Sequence, residues 1–452
     1  MKPWFYRIPG KARSNIKTYK IKDAMKPDHC QDSEEHNNVT GDVIGDTAYS
    51  ERFVLKLLLK LADLEKLKDE VLEKTFEDDL CTLWDMTAER DVVLFLLKHD
   101  VLNLLSFAWP VFESARIVEI VVGVIANMCC QKEAQDALLK METFVAFLVE
   151  YSKSDDSLVI IQVLRLINSS LYLAEETQTL VWMRIFVNAG YSNALYYVLK
   201  NSSKKDLLIT ALENFNTICS CCNIDQCRRD FFGHFVTTEA LECLSTAFSE
   251  ITNNQKYLCQ KDELERILII TLQILLNLVG FEKTTEIFSE NKVRILKIIS
   301  YIFTYYEKKF VSQKEIDLDL VDIIESTKTI VAMLGLSEIS NLDTFFLQSF
   351  NMWKILKCIS NTDKSSSLNF EVEDKEELQN FSQQMKNSLS NLIAVYMNKC
   401  SEDNVLKVVD KVSLKLDYEE ILCSLQDPLL TEVKSRLSPY RGKFEKTESI
   451  SR

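Results

Sequence analysis

The chain has 452 residues, of which 47% are hydrophobic and 27% are charged, and its formal net charge is −14. This composition is typical of a folded, soluble protein, and the negative charge excludes broad nucleic-acid binding because phosphate contacts need a basic face. Only nine glycines and six prolines are present, too few for the many turns of a β-sandwich or a Rossmann-like domain. An all-α fold is predicted.

The N-terminal arm, residues 1–45, is polar and irregular, basic up to Lys26 and acidic around Asp32–Glu35. We predict that this arm is disordered. It lacks the apolar segment of a signal peptide, and no apolar run in the chain reaches the roughly 18–20 residues that span a bilayer. We therefore expect no contact with a membrane.

The first helices follow the arm directly. Ser50 is placed to cap a helix that begins at the next residue, and Leu80–Trp84 lies in a second helix. Thr87 is predicted to cap a third helix, Asp91–Lys98, whose early acidic residues complement the helix dipole. Val101–Ala108 forms the next helix and stops before a Trp-Pro pair.

From residue 115 onward, a shorter helix alternates with a long apolar helix that carries an asparagine in its C-terminal half. These asparagines are 41, 46 and 63 residues apart, which fits armadillo or HEAT-type units of about 40–47 residues with insertions. An irregular helical bundle is the alternative. The long helices are Ala115–Cys130, Leu158–Leu173, Asp206–Cys222 and Leu264–Gly280, their asparagines are Asn127, Asn168, Asn214 and Asn277, and the shorter helices begin near Thr143, Tyr191, Thr238 and Val293.

The pattern predicts an all-α, armadillo- or HEAT-like right-handed α-solenoid of about five to six helical repeats, with disordered N- and C-terminal tails. In such an array each repeat buries its apolar face against its neighbours. We assign the repeats to residues 46–360, a polar linker or loop to 361–378, C-terminal capping helices to 379–437 and a disordered tail to 438–452.

Four short sequences resemble the serum amyloid A-like 1 family: GDVIGDTAYS at 41–50, LCTLWDM at 80–86, RDVVLFLL at 90–97 and GVIANMCC at 123–130. The resemblance is good over roughly residues 41–140. It implies an armadillo-like fold without known catalysis. It also implies a nuclear location, with the cytoplasm as a second compartment, and a role associated with promoting cell proliferation.

No catalytic motif is present, since the chain has no Walker loop, no GxGxxG and no HExxH. We therefore predict no catalytic residues and no cofactor. The alternative function is a structural metal or thiol site around Cys219–Cys243. Its spacing, C-x-C-C-x4-C, lacks the two C-x2-C pairs of a typical zinc site and favours ordinary thiols. The cluster consists of Cys219, Cys221, Cys222, Cys227, His234 and Cys243.

The asparagine series gives the main binding hypothesis, a groove that binds the backbone of an extended peptide. An asparagine amide offers two donors and an acceptor to a passing main chain. The residues four positions earlier are not tryptophans, so the array that packs lysine stems in nuclear-import receptors is missing. The alternative is that each amide bonds a neighbouring loop within the core. The residues at those earlier positions are Gly123, Leu164, Thr210 and Gln273.

Trp84, Asp85 and Met86 form a second candidate site as an anchor for a partner, because exposed tryptophan is common at interaction hot spots. Alternatively, Trp84 closes the N-terminal end of the core and Asp85 bonds backbone amides of the next helix. The expected partners are other proteins, with extended or basic segments favoured for an acidic scaffold. We expect the chain to be a monomer.

Overall fold

The fold is taken from a computed structural model that describes residues 42–221, 225–253, 259–279, 284–313, 318–334, 342–362, 372–405 and 415–440. Within these ranges the regular structure is helical, and no β-strand is present. The predicted arm up to residue 41, residues 363–371 of the predicted linker and the tail beyond residue 440 lie outside the described residues.

Helices follow one another with short connections along the described chain. In order they are α1 (Glu51–Ala62), α2 (Leu64–Glu70), α3 (Lys74–Met86), α4 (Arg90–Lys98), α5 (Val101–Ala108), α6 (Ala115–Met128), α7 (Lys132–Leu139), α8 (Glu142–Glu150), α9 (Ser157–Tyr172), α10 (Glu176–Ala189), α11 (Tyr191–Asn201), α12 (Lys205–Cys221), α13 (Asp225–Phe235), α14 (Thr238–Asn253), α15 (Lys261–Val279), α16 (Thr284–Glu290), α17 (Lys292–Gln313), α18 (Leu318–Met333), α19 (Leu342–Thr362), α20 (Val372–Lys399), α21 (Lys415–Cys423) and α22 (Leu429–Leu437).

From α4 onward, three consecutive helices form a unit, and five such units can be followed in the described residues: α4–α6, α7–α9, α10–α12, α13–α15 and α16–α18. The third helix of each unit packs against the third helix of the next, so that α3, α6, α9, α12, α15, α18 and α20 form one continuous row. Stacking of this kind buries the apolar faces that a single unit would leave exposed. The prediction of an all-α, armadillo-like solenoid is confirmed.

Local sequence explains how the helices begin, with one correction. The Ser50 hydroxyl accepts a hydrogen bond from the Phe53 amide (3.1 Å), as predicted for the cap of α1. Thr87 does not cap α4, which begins after Glu89. Instead, Thr87 ends α3 and donates its hydroxyl to the Trp84 carbonyl (2.6 Å).

The C-terminal helices are packed onto the same row. Helix α20 begins at Val372, inside the stretch predicted as a linker, and it packs against α18 and α19. The buried Trp353 indole of α19 donates to Ser390 of α20 (3.1 Å), and Lys357 of α19 pairs with Asp417 of α21 (2.6 Å). The repeats and the predicted capping helices therefore belong to one packed unit that starts at Asp42.

None of the helices in the described ranges is by itself long and apolar enough to cross a bilayer. Helix α4 and the segment Val101–Val111 reach the required length and composition only together, and they are bent by 70° relative to each other.

Candidate functional site

Most helices of the central row leave part of one side uncovered, whereas on α6 only Ala115 and Arg116, at its start, are exposed. On α9 the exposed residues are Leu158, Arg165 and Tyr172, which are seven residues apart and therefore lie two turns apart on one side of the helix. We call the uncovered stripes together the third-helix face. It is defined by Asp85 of α3, Arg116 of α6, Arg165 of α9, Ser220 of α12, Arg266 of α15 and Asp322 of α18, all of them exposed.

Asn127, the first asparagine of the predicted groove, links three helices of the row. Its amide nitrogen donates to the Trp84 carbonyl (3.2 Å) and to the Thr87 hydroxyl (3.4 Å) at the end of α3. Its amide oxygen accepts from Arg165 Nη2 of α9 (3.1 Å). The donors and the acceptor of this side chain are therefore all bonded to neighbouring repeats.

Asn214 is fully buried and holds α12 against α9 and α11. Its amide nitrogen donates to the Leu164 carbonyl (3.3 Å) and to Asn168 Oδ1 (3.0 Å), and its oxygen accepts from the Tyr191 hydroxyl (2.7 Å). With 0% exposure, Asn214 cannot contact a peptide in a groove, so the prediction for this residue is wrong. The alternative interpretation, in which the amide forms hydrogen bonds within the core, is closer to the structure, although its partners lie on helices and not on a loop.

Asn168 and Asn277 are partly exposed at the edge of the third-helix face. Asn168 accepts from Asn214, and Asn277 donates to the Ser220 hydroxyl of α12 (3.2 Å). Hydrogen bonds to a peptide by Asn127, Asn168 and Asn277 remain a prediction, but all three amides already link successive helices.

The predicted anchor is divided between core and surface. Met86 is buried, so it is not available to a partner, whereas Asp85 is exposed. Among the described residues, none donates a hydrogen bond to the Asp85 carboxylate, so the expected bonds to the next helix are not formed. Trp84 packs against α6: a Cβ added at Gly123 would come within 2.4 Å of the Cε2 and Cζ2 atoms of its ring. Gly123 is therefore the place where α3 reaches α6.

Arginines on the third-helix face differ in their partners. Arg116 donates to Glu77 of α3 (3.1 Å) and to the buried Glu119 (2.8 Å), and these carboxylates raise the pKa of its guanidinium. Arg266 of α15 pairs with Glu213 of α12. Both cations are thus neutralised within the fold.

Arg165 has a different environment. Its guanidinium donates to two neutral amides, Gln162 Oε1 (2.7 Å) and Asn127 Oδ1 (3.1 Å), and no carboxylate of the described residues pairs with it. The packing of protein around this side chain lowers the pKa of the guanidinium, because it removes water from the charged form, and the neighbouring Cys130 offsets this effect only in part. Sequence reasoning missed this residue, although it is the one charged side chain of α9.

Helix α18 has the opposite charge at its uncovered stripe. Partial burial, followed by the nearby carboxylates of Asp319 and Glu325, raises the pKa of the Asp322 carboxyl above its ordinary value. Lys328 already pairs with Glu325, and an approaching cation would stabilise the ionised form of Asp322. This end of the third-helix face is therefore suited to a basic side chain.

The alternative metal site is only partly described. His234 lies in the last turn of α13. Cys219 and Cys243 are buried, and burial raises the pKa of the Cys243 thiol to about 11. Cys222 and the side chain of Cys227 lie outside the described residues. In the ranges that the structure covers, no three histidine, cysteine or acidic side chains are placed to hold a metal ion.

Comparisons with known proteins agree with the resemblance found in the sequence, although no protein-family model matches. Protein SAAL1 of Mus musculus is 27% identical over 198 residues, covering 40% of this chain and 41% of that protein. Protein SAAL1 of Homo sapiens is 28% identical over 181 residues, covering 37% and 38%. The predicted resemblance to the serum amyloid A-like 1 family is confirmed. The chain spans about two fifths of the length of the relatives it matches.

Two solved structures are similar over more of the chain. The designed armadillo repeat protein YIII(Dq.V1)4CPAF, in complex with the peptide (KR)4, has 13% identity and a TM-score of 0.42, and the match covers 62% of this chain and 98% of that one. An engineered protein of the Northeast Structural Genomics Consortium has 14% identity and a TM-score of 0.40, covering 60% and 98%. The solenoid fold follows from the packing of the third helices and does not depend on these similarities.

Proposed function

We propose that the chain is a non-catalytic scaffold that binds extended segments of other proteins along the third-helix face. The observation that carries this proposal is the continuous row of third helices, which places exposed residues of neighbouring helices beside one another from α3 to α18. Helical-repeat proteins use long surfaces of this kind for binding. The exposed charged and polar side chains of the face, together with Tyr172 on α9, offer contacts to both the backbone and the side chains of a partner.

Basic residues of a partner would contact the α18 end of the face. The exposed position of Asp322 supports this placement, because a lysine or arginine beside it would stabilise the ionised carboxylate, whose pKa is raised by partial burial and by the nearby Asp319. The net charge of −14 would also attract basic segments from a distance.

Site-specific photo-crosslinking tests the use of the third-helix face. Two exposed tyrosines provide a matched pair: Tyr172 on α9 is 85% exposed, and Tyr197 on α11, outside the central row, is 70% exposed. Each is replaced by benzoylphenylalanine in the full chain, and crosslinked segments are identified by mass spectrometry after irradiation in cells. We expect defined protein segments at position 172 and only background at position 197. Equal crosslinking at the two positions, or none at position 172, would refute the proposal.

We further propose that the chain acts as a monomer in the nucleus, in processes that promote cell proliferation. The similarity to the SAAL1 proteins supports the location and the role, which the family resemblance implies. Fractionation of cells that express the tagged full chain tests the location, and light scattering of the purified chain tests the oligomeric state. Absence of the chain from the nuclear fraction would refute the location, and the mass of a dimer would refute the monomeric state.

A further inference from the structure

The third-helix face contains one guanidinium that the fold orients without neutralising it. Two neutral amides, from Gln162 one turn earlier on α9 and from Asn127 on α6, accept its hydrogen bonds. In contrast, Arg116 and Arg266 on the same face are paired with glutamates. Since α9 contains no other charged residue, the positive charge of Arg165 is isolated on that helix.

We propose that Arg165 anchors an acidic side chain of the bound protein segment. This inference rests on the proposed binding function of the third-helix face and specifies the chemistry of the partner at α9. A guanidinium prefers a carboxylate because its N–H groups match the two carboxylate oxygens. Asn127 and Gln162 are positioning residues: they fix the plane of the guanidinium, so little side-chain freedom is lost when a carboxylate binds.

Leu158 and Tyr172 determine what flanks the acidic residue. They are 49% and 85% exposed, and each is seven residues from Arg165, which places them about 10 Å to either side along the helix axis. Three residues of extended chain cover roughly the same distance. The matching segment therefore has the pattern apolar-x-x-acidic-x-x-apolar and lies along α9.

Four fluorescein-labelled peptides of twelve residues test this pattern by fluorescence anisotropy with the full chain. The first has leucine, glutamate and leucine at the stated spacing. The second has glutamine in place of glutamate, the third has lysine there, and the fourth has the glutamate moved to the peptide end. We expect the first peptide to bind about tenfold more tightly than each of the others, which is an ordinary gain for a charge-assisted hydrogen bond. The gain should shrink as salt is added.

Variants at Arg165 assign the preference to this residue. Arg165→Gln should reduce the ratio between the glutamate and glutamine peptides to about one, and Arg165→Lys should leave an intermediate ratio because it keeps the charge but not the planar donors. Arg184→Gln is the matched control, since Arg184 is also exposed but lies on α10 and pairs with Glu142. It should bind all four peptides like the unchanged chain. Circular dichroism checks that the variants remain folded.

Four results would overturn the inference: no binding of the glutamate peptide, equal binding of the glutamate and glutamine peptides, an unchanged preference in Arg165→Gln, or the tightest binding by the lysine peptide. In each of these cases, crosslinks at position 172 decide separately whether the face binds proteins at all. Their persistence means that only the acidic preference is wrong, and their absence means that the proposed function fails too.

Discussion

Replacing Asn214 by leucine removes the polar link between α12, α9 and α11 while nearly preserving the shape of the side chain. The main loss is at Tyr191, whose fully buried hydroxyl donates to Asn214 Oδ1 at 2.7 Å and would have no acceptor after the change. Leaving a buried donor unsatisfied costs about 1–3 kcal/mol. Asn168 is partly exposed, so water can replace its lost hydrogen bond. We therefore expect the free energy of unfolding to fall by about 2 kcal/mol.

A second change, Tyr191→Phe, separates this effect from general disruption of the core. In the unchanged chain it removes the donor to Asn214 and should cost about 1–2 kcal/mol. In the Asn214→Leu background the hydroxyl has no acceptor, so its removal should cost nothing or restore stability. The double-mutant cycle should therefore give a coupling energy of about 2 kcal/mol, within the range found for residues in direct contact.

Urea unfolding followed by circular dichroism at 222 nm measures all four proteins of the cycle. Repeat proteins can unfold in stages, so equal m-values across the four proteins are needed before their midpoints are compared. Crosslinking at position 172 should be unchanged in Asn214→Leu, since the side chain is buried away from the face. A coupling energy below about 0.5 kcal/mol would refute the assignment of Asn214 to an interhelix hydrogen-bond network.

Two further predictions concern α6 and the residues that follow it. Gly123→Val should lower the free energy of unfolding by about 2 kcal/mol, because the Cβ of the new valine would collide with the Trp84 ring. The loss of stability should be smaller in a Trp84→Ala background, where this ring is absent. An unchanged urea midpoint would contradict this packing. Cys130 is exposed, whereas burial raises the pKa of the Cys129 thiol to about 12. Iodoacetamide at pH 8 should therefore alkylate Cys129 at least about a hundredfold more slowly than Cys130. Mass spectrometry of native and urea-unfolded protein measures both rates, and similar native rates would contradict the burial.

The second and third helices of the units could be predicted from sequence because their apolar residues recur at helical spacing over long stretches. The predicted starts near Thr143, Tyr191, Thr238 and Val293 agree within one residue with α8, α11, α14 and α17. Apart from α4, which was predicted as Asp91–Lys98, the first helices of the units were missed. Helix α7, for example, has the sequence KEAQDALL, and so short and polar a segment has no periodicity that separates it from a loop.

The asparagines could be placed on the correct helices, but their partners could not be predicted. The spacing of Asn127 and Asn214 fits equally a groove and a network between helices, because both need one polar residue per repeat on the same side. Whether the asparagines form a groove or a network depends on residues that the fold brings together, such as Tyr191 from a second helix and Thr87 from the preceding repeat. A glycine inside an apolar helix was the available signal for the close contact at Gly123.

Asn127 illustrates how an interhelix contact can also serve binding. The bonds of its amide nitrogen to the end of α3 fix the orientation of the side chain, and this orientation turns Oδ1 toward Arg165. A carboxylate at that position would have neutralised the guanidinium, as Glu77 and Glu119 neutralise Arg116. A neutral amide holds the guanidinium in place and leaves its charge for a partner. The asparagine that the sequence singled out thus acts, in our proposal, through the arginine beside it rather than on the peptide itself.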